Sequence, residues 1–126
     1  MLRIDELTWL KTGIEHVDGK NRLSCVVTNT YSDWSTQDWL SNSVRIRVHR
    51  INTHDIAVEY LPEADGAEWT MIRIARLQRP KAELDAPVPL QAGVYVAAPN
   101  KAASDFFVDF HSLRIESGAR DFHHTV

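Results

Sequence analysis

The sequence predicts an all-β protein, an antiparallel sandwich of two sheets, on the basis of three observations. Apolar and polar residues alternate with a period of two in several short segments, most regularly in residues 44–50. Turn signals separate these segments, and Asp18-Gly19 is the strongest because both residues tolerate the positive φ of a two-residue hairpin turn. No segment keeps the 3.6-residue period of an amphipathic helix. We therefore expect about seven short strands.

The predicted hairpin around Asp18-Gly19 organises the rest of the fold. Residues 2–17 are expected to form one extended segment, and residues 23–30 to pair back onto it. Its two faces should differ in chemistry because successive side chains of a strand point to opposite sides. Apolar residues are expected on one face and polar residues with a tryptophan on the other: Leu10, Ile14 and Val17 against Trp9, Lys11 and Glu15.

Downstream of the hairpin, strands alternate with connections. Residues 29–43 have the composition of a long connection, because their aromatic residues stand among Ser, Asp, Thr and Asn. Further strands are predicted at residues 44–50, 56–60, 69–75, 91–98 and 106–115, with a hairpin turn at 63–67 and a proline-rich loop at 79–89. One domain should span residues 1–116, and residues 117–126 should form a polar tail.

Composition narrows the functional classes. A chain of 126 residues with 44% hydrophobic residues is large enough for one domain with a core. Its net charge of −3 is spread along the chain, so there is neither a basic footprint for nucleic acid nor a polybasic patch for a membrane surface. No apolar run is as long as a membrane span. We expect neither nucleic acid nor membrane as a partner.

The cysteine and histidine content argues against metal and disulfide chemistry. Cys25 is the only cysteine, so an intrachain disulfide and a zinc site of paired cysteines are excluded. A buried and inert Cys25 in a cytoplasmic protein is the simplest interpretation. The six histidines lack ligand spacing within a regular element, so we expect no metal and no cofactor.

Several motifs together resemble one known family. The segments that carry the resemblance occur in the family's order over nearly the whole chain: MLRIDE at 1–6, WLKTGIE at 9–15, VDG at 17–19, LSCVVT at 23–28, YSDWS at 31–35, RIRV at 45–48 and GVYVAAP at 93–99. They are similar to the domain of unknown function 1349 family, whose eukaryotic branch is named for regulation of enolase. The resemblance implies a concanavalin A-like jelly-roll sandwich and brings no established activity.

A binding face is the leading site hypothesis. In sandwiches of the resembled kind, sugars usually bind on the concave sheet face, where an aromatic ring stacks on the sugar and charged groups hold its hydroxyls. The alternative is a solvated face with cross-strand ion pairs. A tryptophan on a solvated face is unusual, which favours binding. The residues expected on this face are Trp9, Lys11, Glu15, Thr28, Arg45, Arg47 and Tyr95.

The segment from Tyr31 to Ser35 leaves two interpretations open. It suits a binding loop with Asp33 and Trp34 at its tip, and it equally suits a structural loop with Asp33 and Ser35 bonded to their own backbone. For Trp34 we favour inward packing, because large aromatic side chains are usually buried.

Glycosidase chemistry needs two carboxylates about 5–10 Å apart. Glu15 is expected to stand alone on its face, and Glu59 is the one other mid-strand acid that could approach it. We therefore predict non-catalytic recognition of a carbohydrate or other polar small molecule. The alternatives are a protein-interaction or regulatory module and, third, an enzyme that uses Glu15 beside Lys11 and Arg45.

The resemblance also places Met1 inside a family strand, since family members carry further strands before this point. We therefore expect a sheet edge left open, marginal stability, and self-association through that edge. The measurement is a thermal melt with sedimentation of this chain beside one extended upstream. A cooperative, monomeric melt that the extension does not raise would contradict the expectation.

Overall fold

The structure, a computed structural model, describes residues 1–79, 89–98 and 106–117. All regular structure in these ranges is β, arranged as two antiparallel sheets, so the predicted all-β class is confirmed. The strands are β1 (Leu2–Asp5), β2 (Thr8–Val17), β3 (Lys20–Asn29), β4 (Tyr31–Asp38), β5 (Arg45–Arg50), β6 (Asp55–Leu61), β7 (Thr70–Arg76) and β8 (Gln91–Ala92). The described residues thus form eight strands, where about seven were expected.

The first sheet has the strand order β4-β3-β2-β1-β8 and is built on the predicted hairpin. β2 and β3 pair from Thr8 opposite Asn29 to Val17 opposite Lys20. The two turn residues have positive φ, 51° at Asp18 and 76° at Gly19. These are the conformations that Asp and Gly accept most readily, and the hairpin prediction is confirmed.

The second sheet has the order β5-β6-β7. β5 pairs with β6 from Arg45 opposite Leu61 to Arg50 opposite Ile56, as its period-2 pattern predicted. The connection from β6 to β7 contains Gly66 at φ 72°, within the predicted turn. The β6–β7 register shifts between Val58 and Glu59, which marks a β-bulge.

The core lies between the two sheets. The first sheet contributes Leu10, Cys25 and Val27, and the second contributes Ile56 and Val58, all at most 6% exposed. Because side chains alternate along a strand, each residue of this core has neighbours that point to the outside of the sandwich. The outer face of the first sheet is therefore a separate surface with its own chemistry.

Polar contacts also join the sheets. Asp33 of β4 forms an ion pair with Arg73 of β7 at 2.8 Å. The side chain of Asn29 donates to the backbone carbonyl of Arg76 (2.7 Å) and accepts from the backbone N–H of Gln78 (3.0 Å). These contacts fix β4 and the end of β3 against the second sheet.

The expectation of one extended segment over residues 2–17 is wrong. β1 and β2 are two antiparallel strands, with Asp5 opposite Thr8. The Asp5 carboxylate accepts a hydrogen bond from the backbone N–H of Leu7 at 2.9 Å. This local side-chain bond is typical of an Asx turn, and it reverses the chain after Asp5.

The long connection predicted over residues 29–43 is also wrong in its first half. Tyr31–Asp38 is a strand that pairs with β3 along its whole length, from Asn29 opposite Tyr31 to Arg22 opposite Asp38. Thr30, at φ 65°, makes the tight reversal. Both faces of β4 are largely polar, so its alternation carries no apolar period that the sequence could reveal.

Two late strand predictions are corrected. Only Gln91–Ala92 of the predicted strand at residues 91–98 is a strand, paired with β1. Residues 106–117 form no strand with any described residue, and their side chains are exposed. Without a neighbouring ladder, apolar alternation alone does not make a strand. Most of the predicted loop at 79–89 and of the tail at 117–126 lies outside the described residues.

Replacement of Leu10 by Ala should destabilise the fold strongly. Leu10 is 0% exposed at the centre of the core, and such truncations typically cost about 2–5 kcal/mol. The control is the same change at Leu40, whose side chain is fully exposed. Urea unfolding measures both. Equal losses for Leu10→Ala and Leu40→Ala would show that the core does not lie between the sheets as described.

Candidate functional site

The outer face of the first sheet is mainly polar, and we call it the polar face. Its members follow from the register: every second residue of β2 is opposite every second residue of β3, and these in turn are opposite residues of β4. The polar face comprises Trp9, Lys11, Gly13, Glu15 and Val17 of β2, Lys20, Arg22, Ser24, Val26 and Thr28 of β3, and Ser32, Trp34, Thr36 and Asp38 of β4. The prediction that Val17 shares the side of Leu10 is thus wrong.

One ion pair joins two side chains that lie four residues apart on the same face of β2. Lys11 Nζ lies 2.9 Å from Glu15, and both side chains are about a quarter exposed. Partial burial acts to lower the pKa of Lys11, but its hydrogen bonds with Glu15 and Tyr95 outweigh burial, and the pKa is raised. The Lys11 ammonium is therefore charged at neutral pH and held in place. Tyr95 reaches this face through its contact with Lys11.

A second set of fixed polar groups lies across β3 and β4. Arg22 donates through Nε to Thr36 Oγ1 (2.9 Å) and through a terminal nitrogen to Asp38 (2.8 Å). Two partners on one neighbouring strand fix the plane of the guanidinium. A fixed guanidinium can offer its remaining N–H groups to a ligand without losing side-chain entropy on binding.

Trp34 is the exposed aromatic of the polar face, with 54% of its surface accessible. It borders an open groove of about 500 Å³, whose other walls are Val17, Asp18, Lys20, Arg22 and Thr36. That volume lies within the usual range of small-molecule sites. Trp9, on the far side of β3, is half-buried.

The floor of the polar face is buried, although it lies on the outside of the sheet. Ser24, Val26 and Thr28 are 1%, 6% and 4% exposed. Thr28 shares a hydrogen bond with Ser32 at 2.7 Å, which satisfies its hydroxyl. Larger side chains on the flanking strands therefore cover these three small residues. The residues of β3 that line the groove are Lys20 and Arg22, nearer the hairpin turn.

The structure brings together part of the predicted site. Trp9, Lys11, Glu15, Thr28 and Trp34 share the polar face, and Tyr95 contacts it. The expected inward packing of Trp34 is wrong, because β4 is a strand and its even-numbered side chains point outward. Asp33 lies on the other side of β4, where it pairs with Arg73.

Arg45 and Arg47 do not belong to this surface, and the prediction that they join Trp9 and Glu15 is wrong. Both are in β5 of the second sheet, on the opposite outer side of the sandwich. Arg47 Nε donates to Glu59 at 2.8 Å, and its guanidinium lies 4.2 Å from the ring centre of Trp69. Arg47 thus compensates a carboxylate that is 3% exposed, a structural task.

Sequence reasoning missed Arg22, Thr36 and Asp38. All three belong to the site because β3 pairs with β4. The sequence did not reveal this pairing, since β4 is polar on both faces. The available signal was the β-branched and aromatic content of residues 31–36, which favours a strand. Their presence also corrects the expectation that Glu15 stands alone, because Asp38 is a second acid on the same face.

Cys25 is 0% exposed in the core, as predicted. Burial raises the pKa of its thiol, opposed by the nearby Arg73. A neutral buried thiol is a poor nucleophile. In the described residues, no group of three or more His, Cys, Asp or Glu side chains could hold a metal ion. Nor does any helix there have the length and apolarity needed to span a membrane.

Known proteins resemble this chain at the level of sequence and structure. Regulation of enolase protein 1 from Saccharomyces cerevisiae is 37% identical over 75 residues, which are 60% of this chain and 37% of the yeast protein. Uncharacterized protein AN7484 from Emericella nidulans is 30% identical over 109 residues, which are 86% of this chain and 52% of that protein. The chain thus spans about half or less of these curated relatives.

A solved structure, of a functionally unknown protein from Saccharomyces cerevisiae, superposes with a TM-score of 0.53 at 33% identity. The match covers 63% of this chain and 42% of the yeast chain. A family model described as a protein of unknown function, DUF1349, matches residues 1–118. The chain therefore belongs to the DUF1349 family.

Proposed function

We propose that the polar face is a non-catalytic binding site for a carbohydrate or another polar small molecule. The observation that carries the proposal is Trp34, an exposed tryptophan at the wall of a groove lined by fixed polar groups. Exposing a large aromatic ring to water without a partner is unfavourable. A ligand with an apolar ring face would cover it.

The chemistry of the polar face suits a sugar. A sugar ring presents C–H groups on one face and hydroxyls around its edge. The indole of Trp34 offers a flat apolar surface for the C–H groups. Arg22 offers N–H donors at the groove floor, and the Lys11–Glu15 pair offers a donor and an acceptor on β2. These groups are already held by protein partners, so binding costs little side-chain ordering.

Replacement of Trp34 by Ala should abolish most of the binding. Loss of the stacking surface should weaken affinity by at least about tenfold, which corresponds to about 1.4 kcal/mol. Calorimetric titration with a panel of neutral and acidic oligosaccharides measures the change. The control is Tyr31→Ala, which removes an exposed aromatic from the same strand but from its other face. Equal loss in both variants, or binding unaffected by Trp34→Ala, would overturn the assignment.

The polar face should not hydrolyse β-glucans, despite its two acids. Glu15 and Asp38 both face Arg22 in the register, one from each side. Their backbones are two strand spacings apart, about 10 Å, at the upper limit of the carboxylate separation in glycosidases. The Arg22 guanidinium occupies the space between them, where a scissile bond and water would have to lie.

A reducing-sugar assay on common β-glucans tests this prediction, and we expect no turnover above buffer. Turnover that disappears in both Glu15→Gln and Asp38→Asn would replace the binding role with an enzymatic one. Loss in only one of the two variants would also contradict the prediction, since it would identify a catalytic carboxylate.

A regulatory module that acts by protein contact is the second candidate. It is favoured by exposed apolar side chains in residues 106–115, where Phe107 is 95% and Leu113 60% exposed. The name of the yeast relative, Regulation of enolase protein 1, suggests enolase as the first partner to test. We propose the cytoplasm as the compartment in either case, which a single buried thiol fits.

Biolayer interferometry with purified enolase tests this candidate. Binding that Phe107→Ser and Leu113→Ser both weaken, and that Trp34→Ala leaves unchanged, would favour the regulatory role. Binding lost only in Trp34→Ala would place the protein partner on the polar face.

A further inference from the structure

We propose that the groove beside Trp34 selects an acidic oligosaccharide, one that carries carboxylate groups. This inference rests on the proposed function and names its ligand class. The groove runs along β3 from Trp34, which is opposite Val26, towards the hairpin turn at Lys20. Six residues of β3 separate these two levels, so the groove is about 20 Å long. A run of linked rings fits that shape better than a single small ring.

Three charged residues line the groove: the cations Lys20 and Arg22 and the acid Asp18. Asp38 of β4 compensates the charge of Arg22, so Lys20 is the cation that selects for an acidic ligand. Lys20 makes no ion pair with any described residue, so its ammonium is available to a ligand. Arg22 is fixed by Thr36 and Asp38, and its remaining N–H groups can donate to a ligand in the groove.

The one acid of the groove wall, Asp18, lies in the hairpin turn at φ 51°. Its carboxylate can accept hydrogen bonds from sugar hydroxyls, which a carboxylate ligand without hydroxyls would not offer. A molecule that combines hydroxyls with an acidic group therefore satisfies all three charged residues at once. A simple anion would be repelled by Asp18, and a neutral sugar would leave Lys20 unused.

Stacking and charge then act at opposite ends of the groove. One ring of the ligand covers Trp34, and a carboxylate on a ring further along the ligand lies between Arg22 and Lys20. The charge contribution should be modest, because both cations are accessible to water and screened by salt. The stacking contribution should be independent of salt. Selectivity for the acidic form should therefore fall as ionic strength rises.

The test is calorimetric titration of the folded protein with galacturonate trimer and with its methyl ester, which keeps the rings and removes the charges. We expect the acid to bind about five times more tightly than the ester in about 20 mM salt, and the ratio to shrink in about 0.5 M salt. Lys20→Gln should abolish the preference. Asp18→Asn, a change that the positive φ tolerates, should increase it. Trp34→Ala should weaken both ligands.

Equal affinities for acid and ester, with both lost in Trp34→Ala, would overturn the acidic class and leave the proposed carbohydrate site standing. A preference that Lys20→Gln does not change would also overturn it. If neither trimer binds while neutral oligosaccharides bind in a Trp34-dependent manner, the acidic class again falls alone. If no oligosaccharide of either kind binds, both this inference and the proposed function fail.

Discussion

The buried strand β3 is the element on which the fold and the polar face both depend. Six consecutive residues from Leu23 to Thr28 are at most 6% exposed, so this strand is covered on both sides. Cys25 and Val27 point into the core between the sheets, whereas Ser24, Val26 and Thr28 point the other way and form the floor of the polar face. A change in the position of β3 would therefore alter the core and the groove together.

The polar face is rigid because its charged groups have protein partners on adjacent positions. Lys11 holds Glu15 along β2, and Arg22 holds Asp38 across to β4. Exposed ion pairs of this kind add little to stability, about 0–1 kcal/mol each. Their contribution is orientation: they hold donors and acceptors around a groove whose exposed wall is Trp34. The Asp33–Arg73 ion pair also joins the two sheets, on the side of β4 opposite Trp34.

A turn signal allowed the hairpin to be predicted, and apolar alternation allowed β5 to be predicted. The burial of Cys25 was predicted because a lone cysteine is most simply a buried, inert one. The sequence did not allow β4 to be predicted, since Ser32, Thr36 and their neighbours are polar on both faces. The errors at Trp34 and Asp33 have that origin, and the errors at Arg45 and Arg47 have a related one. Arg45 was grouped with Glu15 because alternation shows which side chains face outward but not which sheet carries them. Long-range pairing, not local pattern, decides such placements.

The central claim is that ligands bind on the polar face, and the four tryptophans allow it to be tested directly. In a two-dimensional ¹H–¹⁵N spectrum, each indole N–H gives one resonance, which can be followed as an oligosaccharide is added. Trp34 should shift most. Trp69, under Arg47 in the second sheet, and Trp39, whose indole donates to the Ser43 carbonyl, should remain unchanged. Shifts at Trp39 or Trp69 with Trp34 unchanged would contradict the account.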